Sequence, residues 1–170
     1  PFTQAGAAAF ARGRAYAAAK VGDKADADLQ LALEYISDPR VRLSVLQTMG
    51  ANREQVLNND ETALEAYRKI ADSNTATGSA EYFTGLQGAA RILTRRGEYD
   101  EALKVLHLVD TEKLGGSWSG SMLLARARTL QAAGRNVESL KAYRAVVSST
   151  SALEVHREFA AQAIIQLEKK

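Results

Sequence analysis

One seven-residue segment is followed by a degraded copy of itself, and this repetition constrains the fold more than any other feature of the chain. Gly97–Leu103 reads Gly-Glu-Tyr-Asp-Glu-Ala-Leu, and Gly134–Leu140, 37 residues further along, reads Gly-Arg-Asn-Val-Glu-Ser-Leu. A period of about 20 to 50 residues, with helical patterns on both sides of a tight turn, indicates a stacked array of repeats. No unit of such an array buries its apolar face alone, so we expect neighbouring units to pack on one another.

The composition predicts that these repeats are helical. Only two prolines are present, Pro1 and Pro39, and the strong helix formers Ala, Leu, Glu, Gln, Arg and Lys dominate nearly every segment. Alternating runs of β-branched and aromatic residues, which are typical of strands, are missing. We therefore predict an all-α fold, and 170 residues with 46% hydrophobic composition are enough for one domain with its own core.

The spacing predicts four helix-turn-helix units and a final helix, all within a single domain spanning residues 1–170. The units cover approximately residues 3–38, 39–73, 79–112 and 117–149, and a capping helix covers 151–170. Gly97 and Gly134 supply the turns of the last two units, and Asn58-Asn59-Asp60 replaces glycine in the second. The longest loops, Ser73–Gly78 and Thr111–Ser117, separate units without marking separate domains.

Apolar spacing predicts which helix faces are buried. The first helix of the third unit, about Ser79–Arg95, and the first helix of the fourth each carry an apolar stripe at spacings of three and four. The second helix of the third unit is apolar around most of its circumference, which predicts burial on several sides, including His107 as a packing residue. The expected core residues of the other segments are Leu123, Ala127, Leu130, Leu140, Tyr143, Val146 and Val147 in the fourth unit and Val155, Phe159, Ala163, Ile164 and Leu167 in the capping helix.

These residues resemble the tetratricopeptide repeat family, whose unit places small residues where its helices meet, a glycine at the turn, and Ala-Leu after an acidic pair. Gly97–Leu103 is the closest match, and Arg12-Gly13 followed by Ala15-Tyr16 is similar to the small and aromatic packing positions of that unit. The resemblance implies a right-handed α-solenoid, a superhelix of antiparallel helix pairs. It also implies a concave groove, lined by the first helices, that binds a peptide or protein segment. The family is a scaffold and not a catalyst.

An arginine follows the small packing residue in three first helices, and these arginines are our candidate binding residues. The pairs are Gly13-Arg14, Ala90-Arg91 and Ala127-Arg128. If the small residue touches the core, the next one lies about 100° further around the helix, on the side that lines the groove in this family. The same face adds Gln87, Arg95 and Gln131. This surface suits an acidic or carboxylate-bearing segment, because arginine binds carboxylates through paired hydrogen bonds. The alternative is that these arginines are solvated helix formers that pair with acids of a neighbouring unit.

Trp118 is the single tryptophan, and its sequence context allows two interpretations. The surrounding glycines and serines would allow it to lie exposed at a loop tip, where an indole could anchor a partner. Helical spacing instead places it in line with Met122 and Ala125, which favours packing on the preceding unit.

The remaining sequence features argue against several function classes. The net charge is only +2, despite a pI near 9.0, so nucleic-acid binding is not expected. The chain has no cysteine, no metal-binding or phosphate-binding motif, and only two histidines, His107 and His156, the second expected to face solvent. We therefore expect no catalysis, no cofactor and no metal. No apolar run is long enough for a transmembrane helix.

A second functional hypothesis is structural. The chain begins at Pro1 without an initiator methionine, from which we expect that an upstream segment was removed. The array could then be a spacer or assembly segment of a larger, envelope-associated protein. The sequence is compatible with the cytoplasm and with export to the periplasm, because the absence of cysteine leaves the redox compartment open. The partner itself is not named by any motif.

Overall fold

The structure, a computed structural model, describes residues 4–73, 78–111 and 117–169. This part of the chain folds into nine α-helices without a β-strand, so the prediction of an all-α fold is confirmed. The helices are α1 (Gln4–Ala18), α2 (Gly22–Tyr35), α3 (Pro39–Gln55), α4 (Asp60–Ala71), α5 (Ala80–Arg95), α6 (Tyr99–His107), α7 (Ser117–Ala132), α8 (Asn136–Ser148) and α9 (Glu154–Glu168). The two long predicted loops lie largely outside the described residues. The predicted start of the first unit at residue 3, the predicted end of the third unit at 112 and the predicted end of the capping helix at 170 also lie outside them.

The chain divides into two compact units, Pro1–Ala89 and Ala90–Lys170, with the division inside α5. In the first unit, α1 packs on α2, α3 packs on α4, and α3 also contacts both α1 and α2. Seven buried side chains form the core between these helices, and they are Ala9, Leu29, Ala32, Ile36, Val45, Met49 and Ala66. The first hairpin therefore buries its apolar face partly against the second.

In the second unit, α7 packs on α8, and α9 packs on both of them. Helix α6 contacts α7 as well. The core of this unit comprises Leu124, Ala127, Tyr143, Val146, Ala152, Ala160, Ala163 and Leu167. From α6 to α9, each helix therefore contacts the next one along the chain.

The turn inside each hairpin contains one residue with a left-handed backbone. The four residues are Lys20 (φ 58°), Asn58 (φ 50°), Gly97 (φ 78°) and Gly134 (φ 72°), at intervals of 37 to 39 residues. At Gly97 and Gly134 the absence of a Cβ removes the strain of this conformation, as the sequence predicts. The N–H of the following residue donates to the carbonyl five residues back, from Glu98 to Leu93 and from Arg135 to Leu130, which satisfies a terminal carbonyl of the first helix.

Two positions, at the same distances after the left-handed residue, are buried in every hairpin. Five residues after the left-handed residue stand Ala25, Ala63, Ala102 and Ser139, each with no measurable exposure. Nine residues after it stand Leu29, Tyr67, Leu106 and Tyr143, and all four are buried. The second helices therefore present equivalent residues to their first helices, although the amino acids at these positions differ.

In the first two hairpins, a glycine on the first helix receives a side chain from the second helix. A Cβ built on Gly13 would lie 2.9 Å from the Leu29 side chain, and one built on Gly50 would lie 2.5 Å from the Tyr67 ring. Gly50 lies one residue further from its turn than Gly13 does, because the second hairpin has an extra residue before Asn58. Ala90 and Ala127 hold this position in the later hairpins and are both buried.

Several expected core positions are wrong. Leu108 is 57% exposed, and His107 is exposed as well, because α6 ends at His107 and is not enclosed on all sides. Val147, Val155 and Phe159 are exposed too, and Leu123 is only half-buried. Their helices bury a narrower stripe than predicted, which in α9 contains Ala160, Ala163 and Leu167.

Candidate functional site

The second unit carries three exposed arginines on two neighbouring helices. Arg91 and Arg95 lie one turn apart near the C-terminal end of α5, and Arg128 lies on α7. All three are exposed, and the small residues that precede Arg91 and Arg128, Ala90 and Ala127, are buried in the core. We call Arg91, Arg95 and Arg128 the basic face.

A direct contact between α5 and α7 brings these arginines together. The hydroxyl oxygens of Thr94 and Thr129 lie 3.1 Å apart, within hydrogen-bonding distance. Each hydroxyl oxygen also lies within hydrogen-bonding distance of the carbonyl four residues back, 2.7 Å for Thr94 and 3.0 Å for Thr129, so one hydroxyl can donate to the other threonine while the second donates to its own helix. Arg128 directly precedes Thr129, and both α5 arginines lie within one turn of Thr94, so this contact places the basic face on adjacent helices.

Arg128 is held by an aromatic ring. Its guanidinium carbon lies 4.1 Å from the centre of the Phe159 ring on α9. Such a cation–π contact fixes the long side chain while leaving its positive charge in place. Arg128 forms no ion pair with a described residue. Burial raises the pKa of Tyr143, and the positive charge of Arg128 acts in the opposite direction. The electrostatic field of Arg128 therefore reaches this buried hydroxyl.

Carboxylates are absent from the helix segments that form the basic face. Helix α7 contains no Asp or Glu, and neither does the stretch of α5 from Ala90 to Arg95. Several acidic side chains elsewhere in this unit pair with other cations. These pairs are Arg135 with Asp100 and Glu138, Lys104 with Glu101, Arg144 with Glu168 and Arg157 with Glu154. The local electrostatic potential at Arg128 is therefore positive even though the chain is nearly neutral.

Gln131, another predicted binding residue, has a structural contact. Its Oε1 accepts a 2.6 Å hydrogen bond from the buried Tyr143 hydroxyl. In the second hairpin, the equivalent Tyr67 hydroxyl donates to Glu54 at 3.1 Å. The other two hairpins place leucine where these tyrosines stand. Gln131 therefore helps to satisfy a buried hydroxyl, a role that the sequence prediction missed.

Arg14 and Gln87 belong to the first unit. Arg14 is exposed on α1, and its guanidinium carbon lies 5.7 Å from the centre of the Phe10 ring, one turn earlier on the same helix. Gln87 is half-buried on α5. In the second hairpin the residue after the small glycine is Ala51, so this hairpin has no equivalent of Arg14.

Three other arginines join consecutive hairpins, and the sequence prediction did not single them out. Arg42 on α3 donates to the Leu33 and Ile36 carbonyls at the end of α2. Arg126 on α7 donates to the Leu106 carbonyl in the last turn of α6 and to the Val109 carbonyl just after it, at 2.8 and 2.6 Å. Arg157 on α9 donates to the Ser149 carbonyl after α8, at 3.3 Å. Each thus binds terminal carbonyls of the preceding helix, where a positive charge is favoured.

Burial affects the ionisation of two of the groups near α6. It lowers the pKa of Arg126, whose Nε is enclosed without a hydrogen-bond partner. Burial also lowers the pKa of His107, and the charge of Arg126 contributes to that shift. His107 is exposed and is not the packing residue that the sequence predicted, yet its surroundings still disfavour its charged form.

Trp118 and His156 lie near the start of their helices. Trp118 is half-buried in the first turn of α7, so it is neither fully packed nor fully exposed. His156 was expected to face solvent, but it is half-buried, and its Nδ1 is enclosed without a hydrogen-bond partner. The Gly120 backbone approaches it so closely that a Cβ built there would lie 3.0 Å from this nitrogen.

The described residues contain neither a metal site of three or more ligands nor a membrane-spanning helix. Among them, no group of three or more histidine, cysteine or acidic side chains could hold a metal ion. None of the helices within residues 4–73, 78–111 and 117–169 combines the length and the apolar character needed to cross a membrane.

No protein-family model, curated protein or solved structure matches this chain.

Proposed function

We propose that this chain is a non-catalytic protein-interaction module built as an array of tetratricopeptide-like hairpins in an α-solenoid. The equivalent left-handed turns and the equivalent buried positions after them support a repeated unit. The contacts between first helices, from α1 to α3 and from α7 to α9, support stacking of that unit. Stacked arrays of this kind expose a row of first-helix residues to a partner.

The ligand that we propose is an acidic or carboxylate-bearing protein segment bound by the basic face. The observation that carries this proposal is the Thr94–Thr129 contact between α5 and α7. For parallel first helices, a rotation of about 100° per residue sends Arg91, Arg95 and Arg128 to one side of the helix pair. Arginines at this spacing can each engage a carboxylate through two parallel hydrogen bonds. Arg14 holds the equivalent register in the first unit, and we propose the same type of contact for it there.

A labelled hexaglutamate peptide tests this proposal. Fluorescence anisotropy should show saturable binding to the full chain at low salt, and the binding should weaken at about 0.5 M salt because exposed charges are screened. The triple variant Arg91→Glu, Arg95→Glu, Arg128→Glu should weaken binding on the order of thirtyfold, since three exposed attractions become repulsions.

The control for this experiment is a second triple variant with the same change in net charge. Arg40, Arg68 and Lys141 are exposed and form no ion pair with a described residue, so their replacement by glutamate alters the overall charge equally. This control should retain most of the binding. Equal losses in the two triple variants would show that net charge governs binding, which contradicts a specific basic face.

A second candidate function is assembly through α9. The capping helix was expected to bury Val155 and Phe159, yet Val155 is 62% exposed and Ile165 on the same helix is 54% exposed. An outer helix face with large apolar side chains favours an assembly segment over a polar cap. Sedimentation at increasing protein concentration tests this idea, because a constant monomer mass over a wide range would exclude self-assembly.

A further inference from the structure

A pocket of about 360 Å³ opens on the first unit, and none of its lining residues belongs to the basic face. Leu33 from α2, Pro39, Leu43 and Leu46 from α3 give it an apolar lining. Leu43 and Leu46 are 2% and 7% exposed, so they belong to its floor. A volume in this range is at the lower end of small-molecule sites.

Two cations lie at this apolar lining. Arg42 contributes from α3 and Lys69 from the last turn of α4. Arg42 uses only its Nη1 for the Leu33 and Ile36 carbonyls, so its Nε and Nη2 make no hydrogen bond to a described residue. Lys69 is exposed and forms no ion pair with a described residue. Both side chains therefore have donors that could meet an anion.

Hydrogen bonds engage two sets of acceptors that lie close to the pocket in sequence. Arg42 covers the Leu33 and Ile36 carbonyls at the end of α2, which would otherwise repel an anion. Asp38 precedes Pro39, but its Oδ1 accepts from the Arg40 and Val41 backbone N–H groups at the start of α3. The pocket therefore combines an aliphatic floor with a cationic edge.

We propose that this pocket binds a free aliphatic carboxylate of medium chain length, with the chain on Leu33, Leu43 and Leu46 and the carboxylate at Arg42 and Lys69. The size follows from the volume, since 360 Å³ corresponds to about a dozen water-sized groups. An eight-carbon carboxylate has about this number of non-hydrogen atoms. This site is separate from the proposed protein-binding face, so either proposal can fail alone.

Sodium octanoate is the probe for the test, and the readout is a ¹H–¹⁵N NMR titration of the full chain. We expect saturable shifts of the Leu33, Leu43 and Leu46 amide signals with octanoate. Octyltrimethylammonium has the same chain with a positive head group and should bind much more weakly. Comparable affinity for the two compounds would overturn the assignment of a carboxylate.

Lys69→Glu and Arg68→Glu form a matched pair of variants on α4. Arg68 and Lys69 are adjacent, and both are exposed cations, but only Lys69 lines the pocket. Lys69→Glu should weaken octanoate binding on the order of tenfold, whereas Arg68→Glu should leave it nearly unchanged. Equal effects of the two variants would overturn the proposal.

A third arm of the experiment distinguishes a free carboxylate from the end of a peptide. N-acetyl-Gly-Leu carries an aliphatic side chain beside a terminal carboxylate and has a similar size. Weaker binding of this peptide than of octanoate supports the proposal. Tighter binding of the peptide would overturn it, because the pocket would then be a site for a protein C-terminus.

Discussion

The left-handed turns predict that substitutions at equivalent positions change the free energy of unfolding in opposite directions. Gly97→Ala should destabilise the protein by about 1 kcal/mol, because a Cβ strains a left-handed backbone by about 1 to 2 kcal/mol. No atom lies within 4 Å of a Cβ built on Gly97, so the loss would come from the backbone and not from a steric clash.

Lys20→Gly should act in the other direction. Lys20 has the same left-handed backbone, at φ 58°, but carries the Cβ that strains it. Glycine removes that strain, but the greater entropy of its unfolded chain costs about 0.5 to 1 kcal/mol of stability. The protein should therefore gain about 0.5 kcal/mol in its free energy of unfolding. Asn58→Gly should gain less, since asparagine tolerates this conformation better than lysine does.

Urea unfolding of the full chain, followed by circular dichroism at constant pH, measures these differences. Gly78→Ala is the matched control, because Gly78 also has open space around a built Cβ but lacks the positive φ. It should be neutral or slightly stabilising. If Gly97→Ala behaved like Gly78→Ala, or if Lys20→Gly destabilised the protein, the equivalence of the four turns would be refuted.

Three further predictions concern Tyr143, Arg126 and His107. Tyr143→Phe should cost about 1 kcal/mol by removing the hydrogen bond to Gln131, and adding Gln131→Leu should recover part of it in a double-mutant cycle of urea unfolding. Arg126→Met should cost about 2 kcal/mol in the same assay, because it strips charged donors from two terminal carbonyls; an unchanged midpoint would contradict that role. An NMR titration should place the pKa of His107 below that of a free histidine. The unfolded chain then takes up this proton first, so the stabilising contribution of His107 is complete above about pH 6.5 and is lost as pH falls through its folded-state pKa; a raised pKa would contradict the effect of burial.

The sequence was sufficient to predict the helices and most of the turns. Gly97 and Gly134 could be recognised because glycine is the residue that adopts a positive φ without strain, and Asn58 because asparagine tolerates it. Lys20 could not be recognised, since nothing about lysine favours that conformation and the rest of the hairpin imposes it. The one-residue offset of Gly50 was hidden for a similar reason, because the extra residue lies in the turn and not in either helix pattern.

For the candidate site, sequence spacing predicted the exposure of Arg91 and Arg128 but not the roles of other arginines. Arg126 and Arg128 lie two residues apart on α7, yet one binds backbone carbonyls and the other stacks on Phe159. The difference depends on which helix each side chain meets. Those tertiary neighbours, the end of α6 and the middle of α9, have no signature within the α7 sequence.

The width of the buried stripe on α9 also could not be predicted from the sequence pattern. Val155 and Phe159 follow the same apolar spacing as Ala163 and Leu167, but only the latter pair is buried. Periodicity identifies a set of apolar positions, whereas the number of packing neighbours decides how much of that set is covered. Helix α9 packs on α7 and α8, which cover one side of it.

The most direct test of the proposed function is to observe the arginine side chains themselves during peptide binding. In a titration of ¹⁵N-labelled protein with hexaglutamate, NMR signals of the Nε–H groups of Arg91, Arg95 and Arg128 should shift together and saturate, while those of Arg40 and Arg68 should not. A shift spread evenly over all exposed arginines, or one confined to residues outside the basic face, would contradict the proposal that this face binds an acidic segment.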